Sequence, residues 1–249
     1  MDLKLRFKII IVAVLVVIII FGGFVIWAET PPTPMDEAFS ALESDSVVEV
    51  SVGDWLVFEP VSFSENVGFI IYPGGRVDFR SYAPLAHSIA KKGYLVVIVK
   101  MPFNLAVFGV NKASEVIKSY SQISSWVVGG HSLGGSMAAQ FVYDNPSEVE
   151  GLVLWAAYPA SGTDLSDFDL LVSTIYGSVD GLVSSSQIDE SLQLLPALTT
   201  RVEISGGNHA QFGWYGDQSG DNSASISRQE QQDQILKATV KCLEDVSNR

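Results

Sequence analysis

Trp126-Val127-Val128-Gly129-Gly130-His131-Ser132-Leu133-Gly134-Gly135 is the stretch whose reading decides the fold. Inside it, Gly130-His131-Ser132-Leu133-Gly134 carries the spacing G-x-S-x-G, and chemistry explains each position. A serine on a sharp turn from strand to helix has a strained backbone and an exposed hydroxyl. Glycines two before and two after it let the outgoing helix approach the incoming strand without a side-chain clash. The flanks agree: Trp126–Val128 reads as a buried strand, and Leu133–Tyr143 reads as a helix carrying Met137, Ala138, Ala139 and Phe141. Such a turn also sets the Leu133 amide at the positive end of that helix, where a developing oxyanion would be stabilised.

Working outward, short runs rich in valine and isoleucine and bounded by glycine or proline recur at Asp54–Phe58, Val67–Tyr72, Tyr94–Val99, Gly151–Ala156, Thr174–Tyr176 and Arg201–Ile204. These are expected strands, several buried on both faces. Helical patterns separate them at Tyr82–Lys92 and Val110–Ser119, and a last one covers Ser227–Val246. Strands alternating with helices specify a mostly parallel central sheet with helices on both faces, an α/β fold. The strands before Phe69 lack a crossover helix and are expected at an antiparallel edge. The polar segment Gly216–Ser227 reads as a surface loop.

A serine needs a base, and the base needs a carboxylate to orient it. Of three histidines, His87 falls inside a predicted helix, and His131 adjoins the serine with its side chain expected to point away from the elbow. Both read as structural. His209 remains, on the loop after the last predicted strand, within Ser205-Gly206-Gly207-Asn208-His209. Between serine and histidine, the strand Thr174–Tyr176 runs into Gly177-Ser178-Val179-Asp180-Gly181, so Asp180 is the leading carboxylate; Asp164, Asp167 and Asp169 on the preceding loop are competitors. A second oxyanion amide is expected from Tyr72-Pro73-Gly74-Gly75-Arg76, with Gly75 preferred to Gly74.

Taken in order, the segments Tyr-Pro-Gly-Gly, Gly-His-Ser-Leu-Gly-Gly, Tyr-Gly-Ser-Val-Asp-Gly and Gly-Gly-Asn-His resemble the α/β-hydrolase superfamily from about Val67 to Val246. The likeness is closest to its small, cap-less dienelactone-hydrolase-like and carboxylesterase-like members. It implies Ser132 as nucleophile, Asp180 as acid and His209 as base. The Leu133 amide and one from Gly74 or Gly75 would be the oxyanion donors, and Gly130, His131 and Gly134 would shape the elbow. The implied activity is hydrolysis of small carboxylic esters or lactones through an acyl-serine. An acyltransferase with the same residues, or a non-catalytic surface binding protein, would share these motifs. Dienelactone hydrolases proper carry cysteine where Ser132 stands, which separates their substrate from this chain. No nicotinamide fingerprint, P-loop or histidine array occurs, so neither cofactor nor metal is implied. Only Tyr158 to Leu171 separates two predicted strands where a lid would be inserted, and Phe103, Leu105, Val107 and Phe108 are candidates to line a modest acyl pocket.

The N-terminus adds a second theme. Ile9 to Ala28 contains no charged side chain, and twenty such residues span roughly 30 Å of bilayer at 1.5 Å each. Ile26 stands two before Ala28, away from the small-x-small pattern of a cleavage site, so an uncleaved anchor is expected. Lys4, Arg6 and Lys8 precede the span, and Glu29, Asp36 and Glu37 follow it; this asymmetry puts the N-terminus in the cytoplasm and the rest outside. The expected division is a tail over 1–8, an anchor over 9–28 in contact with lipid, a linker over 29–45 and a hydrolase domain over 46–249, packed from between about Leu42 and Val50. A net charge of -13 repels phosphate backbones, so nucleic acid is not an expected partner. The sole cysteine, Cys242, reads as a buried helix residue. Protein partners and oligomeric state leave no signal.

Overall fold

Alternation along the strands places the core. In Val67–Tyr72 (β3 of eight strands), Phe69 and Ile71 enter one apolar cluster, while Ile70 and Tyr72 enter the other. The same two-residue period splits Val96 and Ile98 from Leu95, Val97 and Val99 in β4 (Leu95–Val99). A sheet with apolar residues on both faces must be covered twice. The computed structural model, which describes residues 3–62 and 66–249, shows that covering; the first two residues of the expected tail lie outside the described residues.

The remaining strands are β1 (Val48–Val52), β2 (Trp55–Pro60), β5 (Ser125–His131), β6 (Gly151–Trp155), β7 (Leu171–Gly177) and β8 (Thr200–Ile204). They form one sheet in the order β1-β2-β4-β3-β5-β6-β7-β8. From β3 to β8 every pairing is parallel, and β2 runs antiparallel to β1 and β4, giving the expected edge. The helices are α1 (Leu3–Glu29), α2 (Asp36–Ser40), α3 (Ala83–Ala90), α4 (Lys112–Ser119), α5 (Leu133–Asp144), α6 (Ser185–Ser191) and α7 (Arg228–Ser247). Residues of α3 and α7 join the first apolar cluster, and residues of α4 and α5 join the second. Trp155 donates from Nε1 to Thr239 Oγ1 at 3.0 Å, tying β6 to α7 across the first face. Cys242 is buried in α7, and burial pushes its thiol up to about 12.

Three elements escape the sequence patterns: β1, α2 and α6. Packing also starts earlier than Leu42. Met35 donates its amide to the Trp214 carbonyl at 2.9 Å, and Pro34 and Ala38 are buried, so the stretch read as a linker lies against the domain. His87 holds this stretch from α3, with Nδ1 at 2.9 Å from the Ala41 carbonyl and Nε2 at 3.1 Å from Asp45.

From Arg6 to Glu29, α1 is long and apolar enough to cross a membrane. Its last carbonyls do not end in open space. Arg76 donates from Nε to Trp27 O (2.9 Å) and from Nη2 to Thr30 O (3.1 Å), and Asn104 donates from Nδ2 to Ala28 O (3.0 Å). These side chains satisfy carbonyls that a helix C-terminus leaves unpaired.

Candidate active site

Parallel strands send their C-terminal ends to one edge of the sheet, and the loops there gather the residues singled out above. Ser132 follows β5 directly, with φ 53° and ψ -124°, a backbone state that costs a non-glycine residue about 1–3 kcal/mol. The glycines make it possible. A Cβ on Gly134 would lie 2.2 Å from the Tyr72 carbonyl oxygen, and one on Gly130 would lie 2.4 Å from the same atom. Strand β3 and helix α5 therefore meet at van der Waals contact around the turn.

His209 and Asp180 come together on the adjoining loops. Their side chains are buried, with His209 Nδ1 at 2.8 Å from Asp180 Oδ2. Asp180 Oδ1 meanwhile accepts the amides of Leu182 (2.8 Å) and Val183 (2.7 Å). This commits the carboxylate to one orientation and puts the imidazole proton on Nδ1, leaving Nε2 as the basic nitrogen. Nε2 is buried and has no hydrogen-bond partner among the described residues. No hydrogen bond joins it to Ser132. Asp164, Asp167 and Asp169 are exposed and elsewhere: Asp164 accepts the Ser166 amide, and Asp169 pairs with Arg249.

The loops carrying Asp180 and His209 are laced to each other and to α7. Asp221 accepts the Gly181 amide on Oδ1 (2.9 Å) and the Ala210 amide on Oδ2 (2.8 Å), bridging the residues next to Asp180 and His209. Gln231 of α7 forms a reciprocal pair with Asn208, accepting its amide at 3.0 Å and donating to its carbonyl at 2.7 Å. Gln232 donates to Gln211 O at 2.6 Å, and Arg228 donates to the carbonyls of Ala210 and Gly213. Asp221 lies in the segment read only as a surface loop, and no local pattern marks it.

His131 corrects the sequence reading. Its ring does not point away from the site; it lies 4.5 Å from the His209 ring and stacks on Phe212 at 5.5 Å and 9°. Tyr82 Oη is 2.8 Å from His131 Nδ1 and accepts the Gly74 amide at 3.0 Å. The tyrosine hydroxyl thus links the Gly74 amide to the His131 ring. Burial, with His209 close by, holds the His131 pKa well below its usual value. His131 is thus a neutral wall behind the base.

That network engages the two glycines unequally. The Gly74 amide is occupied by Tyr82, which rules it out as a free donor, and the next amide but one, Arg76, is bonded to Asn104 O at 2.8 Å. Among the described residues the Gly75 amide has no partner, and a Cβ on Gly75 would lie 3.1 Å from Leu133 Cδ2. Gly75 therefore sits beside the elbow with its amide uncommitted. Beside it, a cavity of about 320 Å³ is lined by Gly75, Arg76, Val77, Tyr215 and neighbours. Phe103 and Phe108 do not line it; they pack against Phe24 of α1, at 5.6 Å and 6.3 Å between ring centres.

A family model described as the alpha/beta hydrolase family matches residues 68–233. Solved structures with a similar fold include an arylesterase (15% identity, TM-score 0.59, 84% of this chain and 89% of that one). A predicted CIB-like hydrolase from Thermoplasma acidophilum is another (18%, 0.57, 80% and 97%). A third, from Xanthomonas campestris, is described as a serine hydrolase without lid (16%, 0.53, 80% and 97%). No curated protein matches the chain.

Proposed function

Because the chain belongs to the alpha/beta hydrolase family, we propose that it is a serine hydrolase cleaving carboxylic esters or lactones with small acyl groups through an acyl-serine intermediate. The observation that carries this reading is the buried Asp180–His209 pair on loops beside Ser132 in its strained turn. Ser132 Oγ attacks the ester carbonyl carbon while His209 Nε2 takes its proton, and Asp180 stabilises the resulting imidazolium. The amides of Leu133 and Gly75 receive the oxyanion. Collapse expels the alcohol, which leaves with the proton held by His209. Water, deprotonated by the same nitrogen, then attacks the acyl-serine and releases the acid. Every charge that develops has a partner in the chain itself.

Small acyl groups follow from what surrounds the site. Phe103 and Phe108, the aromatic candidates for an acyl groove, are engaged by α1, and residues 156–170 between β6 and β7 leave little material for a lid. The neighbour described as lacking a lid is of similar build. Binding grows by about 0.8 kcal/mol per buried methylene and stops where the pocket ends. Across p-nitrophenyl esters from acetate to palmitate, kcat/KM of the full chain in detergent should peak between about two and six acyl carbons. A steady rise through palmitate would refute the small pocket, and no hydrolysis of any member would refute the esterase reading.

The basic residues before α1 and the acidic ones after it support a site outside the cell. Protease added to intact spheroplasts should then cut the domain after Glu29. Protection until the membrane is lysed would reverse the orientation.

A further inference from the structure

The outer end of α1 is built into the loops around the candidate site. Phe24 contacts Phe103 and Phe108, which lie 5.6 Å from each other, and Trp27 lies under the Arg76 guanidinium at 4.3 Å. Phe103, Asn104 and Arg76 adopt left-handed φ values of 56°, 52° and 55°, a strain that surrounding contacts must offset. Arg76 and Asn104 are held by hydrogen bonds to Trp27, Thr30 and Ala28 and by the Arg76 amide on the Asn104 carbonyl, and Phe103 by its ring contact with Phe24. The anchor therefore docks on the loop next to Gly75.

Depth follows from the helix rise. Phe24 stands five residues before Glu29, about 7.5 Å along the axis from the end of the apolar span. Whatever touches Phe24 from the side reaches the boundary between headgroups and acyl chains, the layer in which interfacial apolar side chains rest. Val107 and Phe108 are there, 46% and 54% exposed, in a stretch from Met101 to Asn111 that has no charged residue in a chain of net charge -13. Leu105 of the same loop reaches to within 3.8 Å of where a Gly75 Cβ would lie, and Leu133 lies closer still. An uncharged path thus leads from the anchor to the elbow.

We propose that residues 102–108 are a second membrane contact, which seats the mouth of the site on the outer bilayer surface and selects esters of amphiphiles held in that bilayer. The short acyl group enters the site, and the alcohol portion stays in the membrane. This rests on α1 spanning the bilayer and on the esterase reading, and the test separates them.

Full-length protein in phospholipid vesicles carries one nitroxide at a time on a Cys242→Ala background: Ile18→Cys in α1, Phe108→Cys, and Val61→Cys. Val61 is 66% exposed just past β2, at the edge of the sheet opposite the site because β2 runs antiparallel to β4. Collision with oxygen against a water-soluble nickel complex should place position 18 in hydrocarbon, position 108 in the interfacial layer and position 61 in water. Position 108 as aqueous as position 61, with position 18 in hydrocarbon, overturns the contact and leaves the anchor standing. Position 18 in water removes both. For selection, the probes are a long-chain alkyl umbelliferyl acetate in vesicles and soluble p-nitrophenyl acetate. The pair Val107→Asp with Phe108→Asp should lower the ratio of vesicle-borne to soluble hydrolysis about tenfold. An unchanged ratio overturns the selection, and wild type inactive on both probes overturns the esterase reading and the selection with it.

Discussion

Replacing Ser132 by alanine is expected to lower kcat for p-nitrophenyl acetate at least about a thousandfold while leaving the chain folded, the scale of loss when a serine nucleophile is deleted. Three features set the size of the effect. Ser132 occupies a backbone state that little but a required geometry would maintain. His209 Nε2 has no other partner among the described residues, so its basicity has one evident outlet. Leu133 and Gly75 have amides with no partner among the described residues, and as the proposed oxyanion donors they should keep the rate of the variant above that of water. Wild type should also take up a fluorophosphonate probe, with Ser132→Ala blank. Equal labelling of the two, or a kcat within tenfold of wild type, would remove Ser132 from the mechanism. Alanine at this position relieves no contact that holds the core, so the melting temperature serves as the folding control.

The second large effect belongs to Asp180→Asn, for which kcat should fall by about a thousandfold to ten-thousandfold. The reason lies in the other oxygen. Oδ1 accepts two backbone amides, from Leu182 and Val183, and an amide nitrogen cannot replace it there without setting donor against donor. The asparagine must therefore keep its oxygen on those amides and turn its nitrogen toward His209. His209 Nδ1 then has to accept, its proton moves to Nε2, and the base is lost although every atom is nearly in place. A kcat within tenfold of wild type would show that Asp180 does not set the tautomer. A melting temperature close to wild type would confirm that chemistry, not folding, accounts for the loss.

How much of this could be read from the chain alone depended on whether the signal was local. The elbow was legible because strand, serine, glycines and helix are contiguous, and Asp180 and His209 were legible because each follows a strand with a glycine turn. The edge strand β1 was not. Only Val48 of its five residues is buried, so Val48-Glu49-Val50-Ser51-Val52 carries too little apolar signal. Helix α6 has buried Ile188 as its lone large apolar residue, although the capping box from Ser184 to Gln187 was present in the sequence and marks its start. The partners that tune the site are remote from it along the chain. Tyr82 reaches His131 across 49 positions, and Asp221 reaches back to Gly181 across 40. Neither has a neighbour in sequence that announces its role, and the same Tyr82 hydroxyl engages the Gly74 amide, a contact between the two that no local pattern marks.

The reciprocal bond between Gln231 and Asn208 has a consequence for the order in which the protein comes into being. Ser132, Asp180 and His209 are all synthesised before residue 210, yet the loop bearing His209 is clamped by Arg228, Gln231 and Gln232 of α7. A chain emerging from the ribosome therefore holds every member of the proposed triad before it holds the element that fixes the His209 loop. Competence arrives with the last helix, after α1 has had the whole length of the sheet in which to find its place.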